Sequence, residues 1–339
     1  MSIQHGKMNL TVYRIDDNPH ADAEGLIEAA AKRAAIPLCD AQNMPDGVSI
    51  GFASGKVLLD GDITEENSII DGHVVLNVRS TAKKIDAGLL KAVIQREEAA
   101  YRKANNLEFV PKKMRRQIKE ESIERLMLDA TPAVKGVELV FDGDHLLIGA
   151  TSDKECDTAV MLVAKDLGIV PEIPKHSNAD GDGFTAGREF LTWLFNAIQS
   201  DDLPGDDNQM MIEGPLELLA PSEREDGKTG ICTKAKIEGD TVANSAELET
   251  MFREKKMIRK AKLALVRDER VWRFAFDADA WNFASLELPN DCETFADRVA
   301  AVREMYDALD GLFNAWRTAE AIARGIQELP NINNETEKE

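Results

Sequence analysis

Seven large apolar side chains near the C-terminus, Phe295, Val299, Val302, Tyr306, Leu309, Phe313 and Trp316, recur at alternating spacings of four and three. That 3.5-residue period predicts one long helix over about residues 294–324 with a continuous apolar seam. A helix with such a stripe must bury it. No second heptad segment is visible in the chain. The cover is therefore either another part of the same unit, the commoner outcome for a single helix, or a second copy of the protein. Just upstream, residues 259–266, 271–276 and 281–286 read as three strands joined by tight turns, an antiparallel meander.

The remaining sequence divides into small mixed modules. Residues 1–82 read as an N-terminal α/β module, with strands at 10–15, 48–52, 57–59 and 73–79 and an Ala-rich helix at 23–35 that stops near Pro37. Residues 83–175 open with a helix whose Leu90, Val93, Ile94 and Tyr101 lie near one face. Pro111 starts a second helix, with Met114, Ile118, Ser122 and Leu126 at i, i+4 spacing and Thr131-Pro132 as its end. A hairpin follows, turning at Asp142-Gly143-Asp144-His145, and then a helix at 155–167 with Gly168 as its cap. Residues 176–330 form a C-terminal module with helices at 188–198 and 245–255, the meander and the long helix. Acidic Gly/Pro-containing stretches at 201–207 and 222–228 suit exposed loops, and the polar residues 331–339 suit a disordered tail.

Charge is the next constraint. The 339 residues carry 41 Lys+Arg against 61 Asp+Glu, a net charge of −20. Such a total favours solubility and disfavours simple adhesion to phosphate backbones. The distribution is uneven, however. Residues 83–125 hold twelve basic and seven acidic side chains, and residues 252–274 hold nine basic and three acidic. Those islands stand at +5 and +6, so the rest of the chain carries −31. No apolar run approaches the ~18 residues of a membrane span, and the first residues lack the apolar stretch of a secretory signal. The cysteines Cys39, Cys156, Cys232 and Cys292 are far apart, with no C-x-x-C pair; reduced thiols in a cytoplasmic protein are the expectation.

No catalytic constellation stands out. There is no G-x-S-x-G elbow, Walker A loop, G-x-G-x-x-G turn or H-E-x-x-H pair. Asn178, Asp180, Asp182 and Glu189 fall at positions 1, 3, 5 and 12 of a calcium-loop pattern, with Gly183 at position 6. Position 8 is Thr185, and the preceding Pro171 and Pro174 exclude an entering helix, so a solvated turn is the better reading. Asp60-Gly61-Asp62 and Asp142-Gly143-Asp144 could be metal-binding carboxylate pairs of a nuclease, although Asp-Gly is also ordinary turn chemistry. The basic islands are the stronger lead. Lys112, Lys113, Arg115, Arg116 and Lys119 crowd two helical turns. On the strand at 259–266, alternation sets Lys260 and Lys262 on one face and Arg259 with Ala261, Leu263 and Leu265 on the other; Lys255 and Lys256 precede it. Such groups can neutralise phosphates, giving affinity that depends on salt and hardly on sequence.

Several short motifs resemble, in the same order, those of the RdgC family of bacterial and phage recombination-associated proteins. They are Asn9-Leu10-Thr11-Val12-Tyr13-Arg14, Cys39 after Ile36-Pro37-Leu38, Leu167-Gly168-Ile169-Val170-Pro171-Glu172-Ile173-Pro174, Glu189-Phe190-Leu191-Thr192-Trp193-Leu194 and Lys262-Leu263-Ala264-Leu265. The resemblance implies an α+β, elongated, horseshoe-like subunit built of small modules. Two such subunits close into a ring that encircles double-stranded DNA without sequence preference and limits access of a RecA-type recombinase, with no cofactor. It implies a nucleoid-associated protein of the cytoplasm. The family's P-R-A-F segment, where the ring is thought to close, is matched here by Leu128-Asp129-Ala130-Thr131, without the Arg and Phe. The expected DNA contacts are Lys83, Lys84, Lys112, Lys113, Arg115, Arg116, Lys119, Lys255, Lys256, Arg259, Lys260 and Lys262. The alternatives are a metal-dependent DNA exonuclease and an acidic protein-interaction factor whose cations merely pair with acids.

Overall fold

The computed structural model describes residues 3–16, 18–20, 22–172, 186–204, 209–220, 234–239 and 245–323. The residues at 178–185, 205–207 and 222–228, Cys232 and the tail at 331–339, to which the sequence reading assigned loops, a calcium pattern and disorder, lie outside these. The strands are β1 (Met8–Ile15), β2 (Ser49–Ser54), β3 (Ile69–Ile70), β4 (His73–Lys83), β5 (Pro132–Asp142), β6 (His145–Ile148), β7 (Pro171–Glu172), β8 (Gln209–Ile212), β9 (Leu216–Leu219), β10 (Lys234–Ile237), β11 (Met257–Arg267), β12 (Arg270–Asp277) and β13 (Asn282–Glu287). The helices are α1 (Ala23–Ala31), α2 (Leu38–Asn43), α3 (Glu65–Ser68), α4 (Ala87–Asn105), α5 (Lys112–Asp129), α6 (Asp153–Leu162), α7 (Ala186–Ser200), α8 (Ala246–Arg253) and α9 (Phe295–Ala323).

All thirteen strands among the described residues join one sheet, in the order β10-β9-β11-β12-β13-β1-β6-β5-β4-β2, with β3 pairing with β4, β7 with β1 and β8 with β11 off this path. Every strand pair is antiparallel. The fold is thus mixed α+β. Its sheet runs across the module boundaries expected from sequence, because β1 lies between β13 and β6.

Period-two alternation divides the apolar side chains between two cores on opposite faces of this sheet. Met8, Leu10 and Val12 of β1, Val75 of β4, Val140 of β5 and Leu147 of β6 belong to one core, which contains the meander and is roofed by α7, α8 and α9. Tyr13 and Ile15, Leu76 and Val78, Leu139 and Phe141, and Leu146 and Ile148 belong to the other, roofed by α1 and α6. The heptad seam of α9 is covered within the chain: Val302 and Leu309 are fully buried in the first core, and Trp316 is 6% exposed. Thr294 and Asp297 exchange side-chain-to-backbone hydrogen bonds of 3.1 and 2.9 Å, closing the helix start.

Several expectations need correction. Residues 57–59 form no strand; Asp60 N–H donates to the Val57 carbonyl at 3.0 Å, making a turn. The helix at 23–35 ends at Ala31, because Arg33 O and Ala35 N–H pair with Phe52 of β2 at 3.0 and 2.7 Å. The helix at 155–167 widens into a π turn over Val163–Leu167, with the Leu167 carbonyl 2.7 Å from His20 Nε2 and Gly168 left-handed at φ 72°. Strands β8, β9 and β10 were not expected; each has only four residues.

Arg79 ties the N-terminal part together. It is 1% exposed on β4, and its guanidinium donates to the carbonyls of Ala35 (2.8 Å), Ile36 (2.6 Å), Leu58 (3.3 Å) and Leu59 (2.8 Å). Burial pulls its pKa down, and Asp60 opposes that shift. Removing the guanidinium strands four carbonyls in a closed space. Arg79→Met should cost about 3 kcal/mol in urea unfolding; a loss below ~1 kcal/mol would show that water replaces the guanidinium.

Candidate nucleic-acid interface

The second basic island sits on β11 and is largely neutralised. Lys260 Nζ lies 2.8 Å from Asp277, and Lys262 Nζ lies 3.5 Å from Glu213, which also takes Arg273 Nε at 2.8 Å. Arg259 contacts Asp277 (3.3 Å), Asp279 (3.1 Å) and Glu217 (3.6 Å). Arg188 of α7 holds Asp279 through two hydrogen bonds of 2.6 and 2.7 Å. Strict alternation would have turned Arg259 away from Lys260. Pairing with β9 shifts register between Ile258 and Lys260, and this irregularity lets both side chains reach the same Asp277 carboxylate. Lys256 is only 7% exposed, which leaves Lys255 as the exposed cation of this group without an ion pair among the described residues. A cation already held by a carboxylate has little counterion release to offer a phosphate.

The first island has a different fate. α4 and α5 pack on each other as a helical hairpin, and neither contributes a side chain to either core. Ile118 and Ser122 are the buried residues of α5, and α4 has none. Two ion pairs cross between the helices: Arg115 Nε to Glu98 at 3.0 Å, and Arg125 to Glu97 at 3.1 Å. Hydrogen bonds from Arg96 and Arg125 hold the Glu97 carboxyl below the usual carboxylate range. With Ile118 turned inward, Lys112, Arg115, Arg116 and Lys119 follow at i, i+3, i+4 and i+7 and share one flank. Arg116 is paired along its own helix with Glu120 at 2.8 Å.

Lys84, Lys112, Lys113 and Lys119 are exposed and make no ion pair among the described residues; the same holds for Lys91, Arg102 and Lys103. The last three belong to the same basic island, and of them Arg102 has an acid, Glu98, four residues before it. Only the packing shows that Glu97 and Glu98 are engaged across to α5. Lys83 is 8% exposed, and its Nζ approaches the Leu128 carbonyl at 3.4 Å near the end of α5. That is a structural use of a cation at a helix C-terminus.

The start of α5 breaks a local rule. Its first turn carries Lys112 and Lys113 and no acid, and Pro111 supplies no side-chain cap. Cations next to unpaired N–H groups oppose the helix dipole, at a cost of about 0.3–1 kcal/mol each. They also make that end of the hairpin strongly attractive to anions. From β11 to β4, whose end leads into α4, the sheet takes six strand steps, about 29 Å at ~4.8 Å each.

The carboxylate pairs expected for a nuclease serve turns. Asp60 accepts from Asp62 N–H (3.0 Å) and from Asn67 Nδ2 (3.2 Å). Asp142 and Asp144 are bridged by Arg303 of α9 at 3.4 and 2.9 Å; His73 Nδ1 lies 3.6 Å from Asp142, and His145 Nδ1 lies 2.8 Å from Asp144. A guanidinium thus stands where a divalent ion would have to sit. Among the described residues no group of three His, Cys, Asp or Glu side chains is arranged to hold a metal. Asn178, Asp180 and Asp182 are outside them, and Glu189 lies on α7. No family model matches the chain, and no curated protein matches it.

Burial acts to raise the Asp144 carboxyl, but the charges of His145 and Arg303 and a backbone hydrogen bond outweigh it and leave it below the usual range. A depressed carboxyl stabilises the fold above its unfolded pKa and loses that contribution as pH falls through the folded value. The wild type should therefore lose stability as pH falls below the usual carboxylate range. Asp144→Asn should be less stable at neutral pH and show a flatter acid limb in melting curves. Parallel acid limbs would remove Asp144 from that linkage.

Proposed function

We propose that this chain is a non-enzymatic, sequence-independent double-stranded DNA-binding protein of the RdgC type, acting as a ring-forming homodimer that limits access of a RecA-type recombinase. The observation that carries the DNA-binding reading is the α4–α5 hairpin. Six exposed cations there, and Lys84 just before it, have no ion pair among the described residues, on a chain whose net charge is −20. Acids elsewhere repel a duplex, so the hairpin is where it is admitted.

The colinear motifs supply the ring, the horseshoe outline and the recombination role. Ring closure would fall at the end of α5, where Leu128 is 73% exposed. A nucleoid-associated position in the cytoplasm accompanies this reading.

Phosphate contact is assigned first to Lys112, Lys113, Lys119 and Lys84, and only secondarily to the paired Lys260 and Lys262. Lys112→Glu with Lys113→Glu should weaken binding equally for two unrelated duplexes in fluorescence anisotropy. The slope of log affinity against log salt should fall by about two. Because acids suit a helix N-terminus, the same variant should melt at an equal or higher temperature. Lys260→Glu with Lys262→Glu should change the slope less and lower stability, by setting carboxylates against Glu213 and Asp277. No binding by the wild type at low salt would favour the interaction-factor reading, in which the cations only pair with acids.

A further inference from the structure

The loop between α4 and α5 presents an aromatic ring to solvent. Asn106 is left-handed (φ 50°), and its backbone N–H donates to the Arg102 carbonyl, as does that of Leu107 at 3.0 Å. Val110 is 6% exposed, and Pro111 then starts α5. The loop is therefore pinned at both ends. Glu108 and Phe109 lie in a bend of the chain. Beside the buried Val110, the Phe109 ring is 70% exposed, and Leu107 is 42% exposed.

A lone exposed Phe is ordinary. The surroundings of this one are not. Over residues 102–119 there are seven basic side chains and one acidic, Glu108. The rim of the loop carries Arg102, Lys103, Lys112 and Lys113, none in an ion pair among the described residues. A second copy seated tip to tip would oppose two such sets of cations. The complementary occupant is anionic and offers flat apolar surface, and nucleic-acid bases meet both demands. In an intact duplex those faces are stacked and paired. A helical hairpin is too wide to slip between stacked pairs, so its tip reaches them only where pairing is interrupted.

Resting on the DNA-binding reading, we propose that Phe109 stacks on an unpaired DNA base while the cations around it hold the flanking phosphates. The hairpin tip then favours gaps and single-stranded ends over continuous duplex. Stacking on one base is worth about a ten-fold gain in affinity.

The test uses the full chain and two DNAs of equal length, one continuous and one with a short single-stranded gap containing 2-aminopurine. The wild type should bind the gapped DNA about ten-fold more tightly and change the 2-aminopurine fluorescence. Phe109→Ala should lose both effects yet keep duplex affinity and its salt slope, and Phe109→Trp should retain both. Lys112→Glu with Lys113→Glu should weaken binding to both DNAs. Equal affinity for the two DNAs with no fluorescence change, while duplex binding persists, would overturn the stacking proposal and leave the DNA-binding reading standing. Failure to bind either DNA at low salt would overturn both. Conversion of Phe109→Ala from dimer to monomer in sedimentation, or Phe109-dependent binding to phosphatidylserine vesicles without any 2-aminopurine response, would assign the ring to a second copy or a lipid surface instead.

Discussion

Strand β1 is the element on which the architecture depends. It is paired with β6 on one edge and with β13 and then β7 on the other, Arg14 lying between His145 of β6 and Glu172 of β7. Met8, Leu10 and Val12 point into the core beneath α9, while Tyr13 and Ile15 point into the core beneath α1 and α6. An eight-residue strand thus supplies both the lateral bonds that join the two halves of the sheet and apolar anchors on each face. The segment before it is secured as well: Ile3 is fully buried, its N–H meets Glu138, and its carbonyl accepts from Arg298 of α9 at 2.9 Å.

Two opposite roofs on one sheet leave the α4–α5 hairpin with no face to cover. Its apolar seam is satisfied internally and incompletely, with one buried aliphatic residue on α5 and none on α4. Marginal packing of this kind permits a high surface charge, because few side chains are committed to a core. The strands of the meander stand in the opposite condition. There Arg259, Lys260 and Lys262 of β11 each have a carboxylate on β9, on β12 or in the adjoining segments within reach, so charge becomes part of the lateral cement.

Much of the fold was legible in the sequence. The seam of α9, the meander, the Asp-Gly hairpin between β5 and β6 and the two basic helices all followed from periodicity and turn residues. Strands β8 to β10 were not legible, since four residues such as Leu216-Glu217-Leu218-Leu219 carry too short a pattern to separate strand from loop. For the candidate site, counting charges located both islands but could not tell them apart. Whether a lysine is free depends on what the neighbouring strand brings opposite it. Glu213, Glu217 and Asp277 are between 17 and 60 residues from the cations that they hold. The displacement of Arg259 by a register shift was equally hidden, because a strand's own alternation says nothing about irregular pairing with its neighbour.

The placement of β1 also bears on how the chain assembles. Its Met8 lies opposite Leu286, so the part of its edge that β13 covers can be closed only after residue 286 has left the ribosome. Until then its main-chain groups and one flank of its apolar side chains stand open to other chains. Such wide loop closure slows folding, and the growing protein would gain most from a chaperone that shields this early segment until its late partner arrives.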